Sequence, residues 1–254
     1  MSHQARKRFG QNFLHDQALI ERIIAHINPS SDDHVVEVGP GLGAITFPLL
    51  DRLQRLNVIE IDRDLVARLQ RKNLPNLIIH ESDVLKVDWQ QLADGRSIRV
   101  VGNLPYNIGT PLLLNLLDQR AHVQDIHAML QKEVVDRLSA NSGTRAFGRL
   151  SVMMQSCFEI EPLLDVPPES FNPPPKVQSA VVRLVPRADA PDAQTIVRLS
   201  DATRLAFANK RKTLRNNLKS ILSVEQLQNA DLDPQARAET LSLDQFLLLA
   251  KMLP

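Results

Sequence analysis

The sequence predicts an α/β protein, a largely parallel sheet covered by helices on both faces, followed by a small all-α C-terminal domain. Short β-branched runs alternate with stretches of helical spacing over about the first 185 of the 254 residues, as in parallel sheets. A linker-like segment at residues 189–193 follows, and the chain beyond it has helical spacing. We therefore predict two domains, residues 1–187 and 188–254.

The expected strands are apolar runs rich in Val and Ile. They are residues 34–38, 58–61, 77–80, 98–101, 125–130, 158–166 and 180–185. The expected helices are residues 45–53, 62–72, 111–119, a long or broken helix at 202–222, and 241–252. A proline-rich loop joins the last two strands without a helix, which predicts an antiparallel strand at this end of the sheet.

The composition is that of an ordinary globular protein rather than a disordered, collagen-like or disulfide-rich one. Lys plus Arg come to 30 and Asp plus Glu to 29, and 43% of the residues are hydrophobic. The single cysteine, Cys157, excludes an internal disulfide and a thiolate zinc site, and the histidines lack metal-ligand spacing. Neither a membrane-spanning run nor a secretory signal is evident. We expect a cytoplasmic protein that binds no metal.

A glycine-rich loop, GPGLG at residues 39–43, follows the first expected strand and precedes a helix. Glycines at this density, here Gly39 and Gly41, allow the backbone to approach a ligand closely. Glu60 lies 21 positions after Gly39, where an acid can accept hydrogen bonds from both ribose hydroxyls of a nucleoside. Asp83, just past the third strand, is suited to the adenine end. The alternative is a glycine-rich turn without a ligand.

The charge beside this loop argues against a phosphate-bearing ligand. A dinucleotide site has GxGxxG spacing and places pyrophosphate at the helix N-terminus. Here the spacing is GxGxG, and Glu37 enters the loop from the strand. A carboxylate at this point favours a cationic or zwitterionic ligand. S-adenosylmethionine, with its sulfonium and amino group, fits that description, and a dehydrogenase cofactor fits it poorly.

The segment NLPY at residues 103–106 ends the fourth expected strand, at the edge where open α/β sheets bind ligands. An exocyclic amine on a base is a poor nucleophile because its lone pair is delocalised into the ring. Two acceptors, the Asn103 side-chain oxygen and the Leu104 carbonyl, would draw that nitrogen toward tetrahedral geometry, and Pro105 fixes the backbone. Tyr106 can stack on the base. Catalysis would consist mostly of orientation for an in-line displacement.

Several long motifs occur in a fixed order along nearly the whole chain, from about Arg6 to the C-terminal helices. They are RFGQNFL at 8–14, VGPG at 38–41, NLPYN at 103–107, LQKEVV at 130–135, FNPPPKV at 171–177 and KRKTLRN at 210–216. NLPY is similar to the signature of methyltransferases that act on adenine amino groups. Together the motifs resemble the bacterial small-subunit ribosomal RNA adenine N6,N6-dimethyltransferase family.

The resemblance implies a Rossmann-like class I methyltransferase sheet with a small helical domain. It also implies transfer of methyl groups from S-adenosylmethionine to N6 of two adjacent adenines near the 3′ end of 16S rRNA, during maturation of the small ribosomal subunit. The donor would then be bound by Asn12, Leu14, Gly39, Gly41, Glu60, Asp83 and Asn103. The target adenine would be held by Asn103, Leu104, Pro105, Tyr106 and Phe171. We expect a monomer that acts on the small subunit and its rRNA.

Two basic clusters predict where the RNA lies. The first is Arg6, Lys7 and Arg8, and the second is Lys210, Arg211, Lys212, Arg215 and Lys219. On one continuous helix Arg211, Arg215 and Lys219 would form a column beside an apolar face, which suits a helix that follows phosphates. The alternative is a solvated surface helix.

Other functions stay open at this point. The large-subunit rRNA adenine methylase that confers antibiotic resistance has a similar site, but the FNPPPKV and KRKTLRN segments favour the small-subunit enzyme. A non-catalytic RNA-binding assembly factor would keep the fold without the chemistry, and the intact Glu60, Asp83, Asn103 and Tyr106 argue against it. One departure from the family pattern is Gly109, which stands where serine is common and is expected to loosen a helix start.

Overall fold

The structure, a computed structural model, describes residues 11–253. The strands are β1 Phe13–Leu14, β2 Val35–Val38, β3 Leu56–Glu60, β4 Leu77–Glu81, β5 Ile98–Asn103, β6 Val123–Gln131, β7 Phe158–Val166, β8 Phe171–Asn172 and β9 Ser179–Pro186. The helices are α1 Gln17–Ile27, α2 Thr46–Leu50, α3 Arg63–Gln70, α4 Trp89–Ala93, α5 Gly109–Asp118, α6 Lys132–Leu138, α7 Arg149–Gln155, α8 Ala193–Ala206, α9 Leu214–Leu218, α10 Val224–Asn229 and α11 Leu243–Met252. The predicted RNA contacts Arg6, Lys7 and Arg8 lie outside the described residues.

Seven strands form one sheet in the order β4-β3-β2-β5-β6-β9-β7. The first five are parallel, and β9 is antiparallel to β6, as the loop without a helix predicts. From β2 the chain runs outward through β3 and β4, and then returns to the other side of β2 as β5. Ligands of such sheets bind where the strand order reverses, outside the carboxyl ends of the strands. The predicted α/β fold class is confirmed.

The central strands are buried because helices cover both faces of the sheet. Every residue of β2 and β3 is buried, and β2 consists of valines apart from Glu37.

A buried ion pair lies at the amino-terminal edge of the sheet, opposite the carboxyl ends of the parallel strands. Here Arg99 of β5 donates to both carboxylate oxygens of Asp125 on β6, at 3.0 and 2.9 Å. It also donates to the carbonyl of Ile27, at 2.7 Å, and so satisfies a carbonyl at the C-terminus of α1.

The chain divides into two compact units whose boundaries differ from the two expected domains. The first unit contains the chain up to Val135 together with Glu161–Pro186, and the second contains Asp136–Ile160 and the chain from Arg187 onward. The last segment begins at Arg187, one residue before the start of the expected second domain. Asp136–Ile160 groups with the second unit because its helix α7 packs against α8 and α11.

The second unit is helical, and its core is organised around Phe246 of α11. The ring of Phe246 stacks on Phe207 with centroids 5.5 Å apart, and its centroid lies 6.4 Å from that of Phe147. A capping box between Ser242 and Gln245 begins α11, close to the expected start of this helix.

The expected helix at 202–222 is interrupted between α8 and α9. The Asn217 side chain donates to the carbonyls of Ala206 and Asn209, at 2.7 and 3.2 Å, and so supplies partners at the end of α8. The amide of Leu214 donates to the carbonyl of Ala236, at 2.9 Å, instead of to the preceding turn. The interruption therefore depends on contacts that are distant along the chain.

This interruption corrects the predicted basic column. Arg211 lies in the turn before α9, Arg215 lies within α9, and Lys219 is the residue that ends it. The prediction of one helical column at i, i+4 and i+8 is therefore wrong. Five basic side chains of this segment are nevertheless exposed, namely Lys210, Arg211, Lys212, Arg215 and Lys219.

Candidate active site

The carboxyl ends of β2, β3, β4 and β5 open onto one cavity in the first unit. Its walls include every residue predicted to bind the donor or the target base: Asn12, Leu14, Gly39, Gly41, Glu60, Asp83, Asn103, Leu104, Pro105, Tyr106 and Phe171. Motifs that are up to 159 positions apart along the chain, from Asn12 to Phe171, thus meet in one place.

The glycine loop follows β2, and all three of its glycines have a positive φ angle, Gly43 with 94°. Gly39 and Gly41 have φ angles of 69° and 58°, in the left-handed region that other residues rarely adopt. A Cβ on Gly41 would also lie 3.2 Å from the ring of Phe13. The loop is tied to β3 by the amide of Gly39, which donates to the carbonyl of Ile59 at 2.9 Å.

Glu60 at the end of β3 is held by backbone amides. Its Oε1 accepts from the amides of Ile61 and Asp62, both at 2.9 Å, and its Oε2 accepts from Gly41 at 3.4 Å. Burial raises the pKa of this carboxyl, and the three amides oppose that effect. The side chain is thereby fixed between strand and glycine loop, and Oε2 has acceptor capacity for a ligand hydroxyl.

Glu37 on β2 is a fully buried carboxyl in the cavity wall. Burial raises its pKa to about 8, and the nearby charge of Glu60 adds to the effect. Among the residues that the structure describes, none forms a hydrogen bond with its Oε2. The carboxyl is therefore mostly neutral at pH 7 in the ligand-free protein, and a cationic ligand group beside it would favour the charged form.

The raised pKa of Glu37 predicts a pH-dependent stability. Between pH about 4.5 and about 8 the folded protein keeps a proton on Glu37 that the unfolded chain has released, so stability falls as pH rises. The Glu37→Gln variant has an uncharged amide at this position, and the amide does not titrate. Its stability relative to the wild type should therefore increase by up to about 1.4 kcal/mol per pH unit in this window. Urea midpoints of both ligand-free proteins at several pH values measure this difference, and a pH-independent difference would contradict the assignment.

Gln11 lines the cavity and is held there by Asp62, and neither residue was predicted from the sequence to be part of the site. Asp62 is buried at the start of α3, where its Oδ1 accepts from the amide of Asp64 at 3.1 Å. Its Oδ2 accepts from Nε2 of Gln11 at 3.0 Å, which ties the N-terminal arm to the wall next to Glu60. Asp62 precedes an expected helix, so a capping role was detectable in the sequence. Its contact with Gln11 was not.

Asn103 ends β5 with its amide oriented by the N-terminal arm. Its Nδ2 donates to the carbonyl of Asn12 at 3.2 Å, so its Oδ1 is the atom with acceptor capacity for a ligand N–H. The amide of Leu104 donates to the carbonyl of Met129 on β6 at 3.1 Å, which fixes the next peptide. The two groups predicted to hold an amine are therefore both anchored.

Two aromatic residues line the same end of the cavity. Tyr106 follows the NLP turn, and its hydroxyl lies 3.1 Å from Oγ of Ser179. Phe171 is 3% exposed and lies in β8, which pairs with β1 so that Leu14 faces Phe171. The pairing of β1 with β8 therefore holds the N-terminal arm, residues 11–14, next to Phe171.

The two remaining residues of interest have clear local roles. Asp83 follows β4, and its Oδ1 accepts from the amide of Leu85 at 3.1 Å.

Gly109 begins α5, and a Cβ there would lie 2.4 Å from Cδ2 of Leu130. Leu130 therefore occupies the space that a serine side chain would need. The N-cap of α5 is Ile108, whose side chain cannot accept a hydrogen bond, so this helix start has no side-chain cap.

The second basic cluster lies outside the unit that contains the cavity. Lys210, Arg211, Lys212, Arg215 and Lys219 belong to the second unit, whereas the cavity belongs to the first. Within residues 11–253 there is no group of three His, Cys, Asp or Glu side chains that could hold a metal ion. No helix in the described part of the chain is both long and apolar enough to cross a membrane.

Two solved structures resemble this fold along most of its length. A dimethyladenosine transferase from Plasmodium falciparum matches with a TM-score of 0.80 at 25% identity, over 93% of this chain and 95% of that one. The 23S rRNA methyltransferase ErmE matches with a TM-score of 0.75 at 27% identity, over 95% and 99% of the two chains.

Sequence relatives are similar over their full length. A protein of Dechloromonas aromatica named Ribosomal RNA small subunit methyltransferase A is 51% identical, over 99% of this chain and 98% of its own. A protein of the same name from Hahella chejuensis is 52% identical, over 98% and 93%. Residues 2–254 match the family model described as Ribosomal RNA adenine dimethylase. The resemblance noted in the sequence is confirmed, and the chain belongs to the ribosomal RNA adenine dimethylase family.

Proposed function

We propose that this protein transfers methyl groups from S-adenosylmethionine to N6 of two adjacent adenines near the 3′ end of 16S rRNA, giving N6,N6-dimethyladenosine during small-subunit maturation. The observation that carries the proposal is the single cavity lined by both Glu60, suited to a nucleoside ribose, and Asn103, suited to an amine. The names of the two full-length relatives support the small subunit as acceptor.

The residues of the cavity fit S-adenosylmethionine. Glu60 would accept from the ribose hydroxyls, and Asp83 would accept from the adenine amine. The half-exposed side chain of Ile61 offers an apolar surface to the adenine ring. Within residues 11–253 Oε2 of Glu37 has no hydrogen-bond partner, and the ammonium group of the donor would stabilise the charged form of this carboxyl. When bound, this donor supplies a methyl group already activated by the positive charge on sulfur.

The glycine loop and the N-terminal arm supply the rest of the proposed donor site. Gly39 and Gly41 let the backbone approach the donor without a Cβ. Asn12 and Leu14 belong to the arm that the pairing of β1 with β8 and the Asn103 amide hold beside the cavity. We infer that the arm encloses the donor and thereby limits the access of water to the methyl group.

The target amine would be oriented by two acceptors. Oδ1 of Asn103 accepts one N–H, and the carbonyl of Leu104, directed by Pro105, accepts the other. The nitrogen lone pair then leaves conjugation with the ring and points along the line of displacement. Tyr106 and Phe171 hold the base. No base has to remove a proton before transfer. After the first methylation one N–H remains, so either acceptor can still orient the nitrogen.

The experiment that tests the proposal is transfer of labelled methyl groups to unmethylated small ribosomal subunits, with large subunits as a parallel acceptor. We expect two methyl groups on each of two adenines, recovered as N6,N6-dimethyladenosine. Label only in large subunits would move the assignment to the resistance methylase. Absence of label with intact donor binding would indicate a non-catalytic RNA-binding factor.

RNA contacts are proposed for two basic clusters: Arg6, Lys7, Arg8, Lys210, Arg211, Lys212, Arg215 and Lys219. The exposure of the last five supports this part of the proposal. Each phosphate contact releases counterions, which makes binding sensitive to salt. The first unit would then carry the chemistry together with one basic cluster, and the second unit would supply the other cluster.

Replacing Arg211 and Arg215 together by alanine should weaken RNA binding and leave donor affinity unchanged. The slope of log affinity against log salt should fall by about 1.5 to 2, because two phosphate contacts are lost. Arg204→Ala is the matched control, since this exposed arginine of the same unit is already paired with Asp201 at 3.0 Å. An unchanged salt slope in the double variant would exclude these contacts.

The small ribosomal subunit and its rRNA are the proposed partners. We propose that the protein meets this acceptor in the cytoplasm and acts there as a monomer. Light scattering during gel filtration tests the oligomeric state.

A further inference from the structure

Tyr106 has a buried hydrogen-bond partner outside the cavity wall. Its hydroxyl lies 3.1 Å from Oγ of Ser179, which is 1% exposed and is not among the residues that line the cavity. Ser179 is the first residue of β9 and faces Gln131 at the end of β6. The amide of Lys132 donates to the carbonyl of Gln178 at 2.9 Å, which secures this register. The serine hydroxyl therefore has a fixed position.

The contact with Ser179 determines which part of the Tyr106 side chain can contact a substrate base. Because its hydroxyl pairs with a protein group, the ring is available to a base through its face rather than through its polar tip. Tyr106 lies in the turn after β5, where side-chain torsions alone would leave the plane of the ring variable. A bond at the far end of the ring restricts that plane. Phe171 needs no such bond, since it is buried within a paired strand.

Ser179 and Phe171 are also connected. They flank the proline-rich loop at residues 173–178, with Phe171 in β8 before it and Ser179 in β9 after it. One short segment therefore positions both aromatic walls of the base site, Phe171 directly and Tyr106 through a hydrogen bond.

We propose that Ser179 is a positioning residue for the acceptor base: its hydroxyl holds the Tyr106 ring parallel to the place where the adenine stacks. This inference rests on the proposed function. It assigns Ser179 no contact with substrate, so its effect is on acceptor binding and passes entirely through Tyr106.

A double-mutant cycle tests the proposal. Ser179→Ala and Tyr106→Phe each remove one half of the hydrogen bond, and each should raise the KM for small subunits by about two- to tenfold. The double variant should show no further increase, because both changes remove the same interaction. The kcat should change less than KM, and donor affinity should be unchanged. Additive effects would overturn the proposal.

Two further variants separate positioning from stability. Ser179→Thr keeps the hydroxyl and should restore the KM for the acceptor. Ser156→Ala is the matched control, since Ser156 is a buried serine of the second unit whose Oγ donates to the carbonyl of Val152. It should leave the KM unchanged whatever its effect on melting temperature. A Ser179→Ala protein that lost stability with an unchanged KM would make Ser179 merely structural and overturn the proposal.

A spectroscopic measurement keeps the test independent of activity. Tyr106 is the only tyrosine of the chain, so tyrosine-selective ¹³C labelling gives one set of ring signals. Ser179→Ala should shift the Cζ signal and speed the ring flips, whereas Ser156→Ala should do neither. An unchanged Cζ signal overturns the proposal even if no acceptor is methylated. Failure of the proposed function would appear instead as a wild type that does not methylate small subunits.

Discussion

Asn103→Ala is expected to lower kcat for methyl transfer by about 10²- to 10³-fold while donor affinity changes by no more than a few fold. This range is typical for removal of one fixed hydrogen-bond partner of a reacting group. Asn103 ends β5, and its Nδ2 is already held by the carbonyl of Asn12, so Oδ1 needs no reorientation when the amine enters. Without Oδ1, the Leu104 carbonyl is the one acceptor left, and the nitrogen stays closer to planar.

Single-turnover methylation and donor titration calorimetry measure the two quantities separately. Asn103→Asp is the informative companion variant. It keeps an acceptor oxygen but cannot donate to the carbonyl of Asn12, so we expect an intermediate loss of kcat. An Asn103→Ala enzyme with full turnover would show that the amide does not orient the amine. Equal activity of the Asp variant and the wild type would show that the arm contact is unimportant for turnover.

The sequence predicts the parallel sheet and most of the cavity because both depend on local patterns. Apolar runs mark the buried strands β2 and β3, and the glycine loop directly follows β2. The carboxyl ends of parallel strands share one edge, so motifs after successive strands must converge there. The sequence alone therefore predicts that Glu60 and Asn103 lie at one site.

The remaining features depend on contacts between distant residues, which periodicity does not report. Asp136–Ile160 joins the second unit because α7 packs on helices that begin more than forty residues later. The break before α9 depends on the Asn217 side chain and on the carbonyl of Ala236. The Tyr106–Ser179 pair likewise spans 73 positions. In each of these three cases the local sequence is compatible with a simpler structure. The contact with a residue elsewhere in the chain determines which structure forms.

Glu60→Ala is expected to weaken the binding of S-adenosylmethionine by at least about 100-fold. Hydrogen bonds to a charged group contribute about 1.5 to 3 kcal/mol each, and the carboxylate is proposed to accept from two ribose hydroxyls. Its position is fixed before the donor arrives by the amides of Ile61, Asp62 and Gly41. Binding therefore requires little ordering of this side chain.

Removal of Glu60 also leaves the amides of Ile61, Asp62 and Gly41 without this acceptor, so folding must be checked apart from binding. Glu60→Gln keeps an oxygen for these amides and should lose less affinity, about tenfold. Glu81→Ala is the matched control, because Glu81 faces Glu60 at the end of β4 but is exposed and paired with Arg63. Wild-type donor affinity in a folded Glu60→Ala protein would remove the ribose assignment. Since Asn103→Ala should retain the donor and Glu60→Ala should lose it, the two variants together distinguish the donor half of the cavity from the half that orients the amine.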